Sequence, residues 1–104
     1  MEVVKIPIAC SLGADDAQAR LAEWRTTLTR VVVETQRIAP TELTLSLRAD
    51  DKELAALVDL VRREVACCTF FEFALHVAAG ATTLRITVPA DAAAVLDEFA
   101  QLAG

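Results

Sequence analysis

Two stretches of strict two-residue alternation constrain most of what this chain can fold into. In "ELTLSLRA", residues 42–49, Leu43, Leu45 and Leu47 alternate with Thr44, Ser46 and Arg48. In "FEFALHVAAGATTLRITVP", residues 71–89, Phe71, Phe73, Leu75 and Val77 alternate with Glu72, Ala74 and His76, and the alternation resumes beyond Gly80. A period of two sends successive side chains to opposite faces, so the first stretch reads as a half-buried strand and the second as a hairpin turning at Gly80. The segment between them, "DDKELAALVDLVRREVACC", has Asp50 and Glu53 at capping-box spacing and Leu54, Leu57, Val58, Val61 and Val65 at helical spacing. It predicts a helix that runs to about the cysteines.

The flanks complete the order. "VVKIPIAC", residues 3–10, is short, apolar and β-branched, and reads as a first strand that Pro7 keeps at an edge or makes irregular. From Asp15 onward Leu21, Trp24, Leu28, Val31 and Val32 recur at helical spacing, which predicts a helix over 14–36 closed by Ile38-Ala39-Pro40. Asp91 stands where it would cap a last helix carrying Val95, Phe99 and Leu102. The order β-α-β-α-β-β-α implies an α/β (α+β) fold: one domain over residues 1–104 with a four-stranded mixed sheet. It matches the thioredoxin-like fold at glutaredoxin size, with a ferredoxin-like sandwich as the alternative.

At 104 residues the chain is long enough for one core and too short for two. Ten Lys and Arg against 15 Asp and Glu give a formal charge of −5, and the basic residues are dispersed, so direct nucleic-acid binding is not expected. No apolar run reaches the roughly 18 to 20 residues that span a membrane, and the start lacks the basic and apolar stretches of a signal peptide, which points to the cytoplasm. The apolar content of 55% and the alternating strands lead us to expect a homodimer.

The chemistry rests on the cysteines. The chain has three, an odd count that argues against a disulfide framework and for thiols held reduced until used. In a thioredoxin-like sheet Cys10, at the end of the first strand, would meet Cys67 and Cys68, which precede the third. Three sulfurs suit a soft ion such as Cu(I), Hg(II) or As(III), or Zn(II) with a further ligand. Glu64, one helical turn before the thiols, or His76 could be that ligand, although His76 alternates onto a strand face where exposure is the plainer reading. Thiol transfer has less support, because "CSLG" stands where a C-x-x-C would and no resolving cysteine follows Cys10. A disulfide between the neighbours Cys67 and Cys68 would strain their peptide, so they read as separate thiols. Against all of these stands packing: Cys68 continues an apolar helical face, and cysteine is among the most buried residue types.

Cys10 in "CSL", Trp24-Arg25, Glu64, Cys67-Cys68, Phe70-Phe71 and Phe73 together resemble the CCxFF motif of a poorly characterised group of small bacterial domains. The resemblance spans nearly the whole chain, which has Thr69 where that group usually has proline. Such domains occur alone or behind the DNA-binding headpiece of mercury-resistance-type transcription regulators. The resemblance implies a sensor or effector domain for metals or thiol stress, with a regulatory protein as partner. The expectation is a cytoplasmic soft-metal-binding or thiol-redox-sensing module that uses Cys10, Cys67, Cys68 and Glu64. The alternative is a structural, dimerisation or effector-type domain whose cysteines are packing.

Overall fold

The computed structural model of the chain describes residues 14–103. In chain order these form α1 (Ala14–Val31), β1 (Val32–Ala39), β2 (Glu42–Leu47), α2 (Asp51–Cys67), β3 (Glu72–Ala78), β4 (Ala81–Thr87), a 3-10 turn (Ala90–Ala92) and α3 (Ala93–Ala103). The chain is thus α+β, two consecutive helix-hairpin units followed by a last helix.

One sheet with strand order β1-β2-β4-β3 holds all four described strands, and every pairing in it is antiparallel. Each hairpin closes locally, and the two meet where β2 pairs β4, with Leu45 opposite Leu84. This corrects two expectations. The described sheet has neither mixed strand directions nor the thioredoxin-like arrangement, because Glu42–Leu47 lies antiparallel between two partners. The helix expected over 14–36 stops at Val31, and Val32–Ala39 is a strand on β2. The physical reason is local: Val31, Val32 and Val33 extend the helical apolar period, but a run of β-branched side chains is crowded in a helix and well accommodated in a pleated strand. The expected first strand, Cys10 and their neighbourhood lie outside the described residues.

The three helices share one core with one face of the sheet. Leu43, Leu45 and Leu47 of β2 and Leu84 and Ile86 of β4 point into it, meeting Trp24, Leu28 and Val31 of α1, Leu57 and Leu60 of α2, and Leu96 and Phe99 of α3. Thr44 and Ser46, on the other face of β2, are only half-buried. The strand alternation read from the sequence therefore holds residue for residue in β2. Gly80 turns the second hairpin at φ +77°, a left-handed backbone that glycine adopts without a Cβ penalty.

Asp50 caps α2 as its spacing implied. Its Oδ1 accepts the Glu53 backbone N–H at 2.7 Å, and Glu53 Oε1 accepts the Asp50 N–H at 2.9 Å. The buried face of α2 is turned from the one expected: Leu57, Leu60 and Glu64 are buried, whereas Val58 and Val65 are exposed. Asp91 does not cap the last helix; it sits in the 3-10 turn, which begins at Pro89 without a side-chain cap.

Candidate functional site

Helical spacing assembles the site from two helices. Arg20 and Trp24 are four residues apart on α1, and Glu64 and Cys67 three apart on α2, so each pair shares a face. Where the helices meet, Trp24 donates its indole N–H to Glu64 Oε1 at 2.8 Å, and Arg20 Nη1 donates to the same oxygen at 3.1 Å. The other arm of the guanidinium, Nη2, reaches Cys67 Sγ at 3.7 Å. Glu64 is only 5% exposed, and it is the one buried charged residue among those described. A carboxylate taken out of water at that depth needs partners; the indole and the guanidinium supply them.

Aromatic rings build the dry side of this cluster. Trp24, fully buried, stacks on Phe73 at 5.7 Å between ring centroids and meets the edge of Phe99 at 4.9 Å. Phe71 lies against Phe70, Phe73 and Phe99, so all four phenylalanines join one aromatic group. The rings hold Trp24 in one orientation, and that orientation aims its N–H at Glu64.

Toward solvent the charges alternate. Arg20 Nε lies 4.0 Å from Glu23 Oε1, Glu23 binds Arg63, and Arg63 binds Asp59. Burial works against the charge on Arg20, but its hydrogen bonds to Glu64 and Cys67 and the fields of both more than offset it, so the guanidinium holds its proton more firmly than usual. The bond from Arg63 holds the Glu23 carboxyl below its ordinary range, against a smaller opposing effect of burial.

The adjacent cysteines occupy different surroundings. Cys68, the C-cap residue of α2, is 2% exposed, packs within the hydrophobic core and is disulfide-bonded, against the expectation of three reduced thiols. Cys67 is a free, half-buried thiol facing the polar cluster. Among the described residues no group of three or more His, Cys, Asp or Glu side chains is placed to hold a metal ion. The donors that do converge suit a cation poorly, since the Glu64 oxygen is taken by two donors and a guanidinium stands beside the Cys67 sulfur. His76 is exposed on β3.

Arg20 is the functional side chain that the sequence reading passed over. The resemblance drew attention to Trp24-Arg25, but Arg25 is exposed, and the arginine at the site is the one a helical turn before Trp24. The signal was available in the i, i+4 spacing of Arg20 and Trp24. No family model matches the chain, and no curated protein or solved structure matches it either.

Proposed function

We propose that this chain is a thiol-redox-sensing module of the cytoplasm in which Cys67 is the thiol that first meets the oxidant. The observation that carries this reading is the 3.7 Å approach of Arg20 Nη2 to Cys67 Sγ. A guanidinium beside a sulfur attracts a polar or anionic oxidant to it and disfavours a metal cation at the same atom. Of the two activities expected from three cysteines, oxidation is therefore better supported than capture of Cu(I), Hg(II) or Zn(II), because a guanidinium stands beside the Cys67 sulfur.

With a hydroperoxide as oxidant, the Cys67 thiolate attacks the terminal peroxide oxygen and the O–O bond breaks. The alkoxide or hydroxide leaves with a proton from solvent, and the sulfur, oxidised by two electrons, becomes a sulfenic acid. The resulting change at the end of α2 is what a regulatory protein partner would read.

Treatment of the reduced protein with hydrogen peroxide and dimedone, followed by tryptic mapping, tests this. The expected result is a dimedone adduct at Cys67 that is absent in Cys67→Ser. An unmodified Cys67 under conditions that oxidise a free thiol peptide would overturn the reading. Tight retention of one Cu(I) or Hg(II) per chain, lost in Cys67→Ser, would favour soft-metal binding instead.

A second reading, an interaction or homodimerisation domain, is favoured by the apolar side chains at the sheet edges. Val33 and Ile38 on β1 and Val77 on β3 are more than half exposed, and Leu75 on β3 lies beside Val58 and Val61 of α2 in a shallow apolar cleft. Sedimentation as one species of 11.2 kDa across micromolar concentrations would remove the homodimer.

A further inference from the structure

We propose that Glu64 sets the reactivity of Cys67 through Arg20, the carboxylate restraining the thiol and the guanidinium promoting it; the inference rests on Cys67 being the reacting thiol. Arg20 carries a single positive charge and divides it, one arm on Glu64 and the other on Cys67. Glu64 is fixed in place, because the buried oxygen that accepts from Arg20 also accepts from Trp24. A thiolate at Cys67 would thus approach a cation that already has an anion bound to it. The helix adds a second restraint: Cys67 is in the last turn of α2, where free carbonyls oppose a negative charge, and that turn has no basic residue of its own. Arg20, reaching across from α1, is the compensating cation. Among the described residues its other charged neighbour, Glu23, is taken up by Arg63, which is also bonded to Asp59, so these outer groups largely balance one another.

Two substitutions separate the roles. Glu64→Gln keeps an acceptor oxygen for Trp24 and Arg20 but removes the negative charge, leaving the field of Arg20 undivided on Cys67. Arg20→Met removes the cation and leaves the carboxylate and the helix end facing the sulfur. Glu64 would act here as a positioning residue, touching the thiol only through the guanidinium.

The experiment follows iodoacetamide alkylation of Cys67 in the reduced full chain, resolved from Cys68 by fragment mass spectrometry of the tryptic peptide 64–85. Near pH 7, Glu64→Gln should react about three- to tenfold faster than wild type and Arg20→Met slower by a similar factor. Loosened packing would instead expose the thiol and speed both variants, so equal signs, or no change in either, overturn the inference. Should Arg20→Met not fold, Glu64→Gln alone decides, and a rate equal to or below wild type overturns it. Peroxide inertness of wild-type Cys67 alongside opposite alkylation signs would sink the redox reading while leaving the coupling of Glu64 to Cys67 in place.

Discussion

Trp24 donates its indole N–H to Glu64 across 2.8 Å and 40 residues of sequence, which ties the middle of the first helix to the last turns of the second. The bond joins a fully buried ring to a buried carboxylate, and so links the packing of the core to the polarity of the thiol site. Removing the donor leaves an empty volume and an acceptor with one partner fewer.

Trp24→Phe should therefore destabilise the protein by about 2 to 4 kcal/mol, combining the lost ring volume with a weakened buried hydrogen bond. Urea denaturation read by circular dichroism measures it. Glu64→Gln should cost clearly less, because the amide oxygen can still accept.

The neighbouring cysteines should respond differently to serine. In the reduced protein, Cys67→Ser should change stability by less than about 1 kcal/mol, since the side chain is half exposed. Cys68→Ser places a hydroxyl at a position only 2% exposed and should cost about 1 to 3 kcal/mol. Equal denaturation midpoints for the two variants would contradict the different surroundings assigned to them.

Asp50→Ala removes one half of the capping box of α2 and should cost about 1 kcal/mol, lowering the melting temperature by roughly 4 to 8 °C in a domain of this size. Glu53→Ala in the same background should cost a further fraction of that, because Glu53 accepts from the backbone N–H of residue 50, which alanine retains.

Glu23 gives an acid-side prediction. Its folded-state carboxyl titrates below the ordinary value of 4.5, so its contribution is complete above that value and is lost as the pH falls through the lower folded value. The stability difference between wild type and Glu23→Gln should be constant from neutral pH down to about 5 and shrink below it. A difference that grows on acidification would contradict the sign. The effect should be small and weaken with added salt, because both Glu23 and Arg63 are partly solvent-exposed.

How far these features were legible in the sequence depended on their range. The Asp50-Glu53 cap, the β2 alternation and the turn at Gly80 follow from neighbours within a few residues, and each stands where its pattern put it. The strand after Val31 did not, because a β-branched apolar run satisfies a helical period until the pairing strand is known. Glu64 was visible as the charge one turn before the thiols. Its partners were not, since Arg20 lies 44 residues away and nothing local says which arginine a buried carboxylate will meet.

The two helix-hairpin units give the thiol site a dependence on the order of folding. Each hairpin closes through a two-residue turn, whereas β2 reaches β4 only by joining segments roughly forty positions apart, the costlier loop closure. Arg20 and Trp24 belong to the first unit, Glu64 and Cys67 to the second. Until the halves dock, Cys67 lacks the guanidinium that Arg20 brings to it, so the sulfur acquires its charged neighbour only when the two units come together.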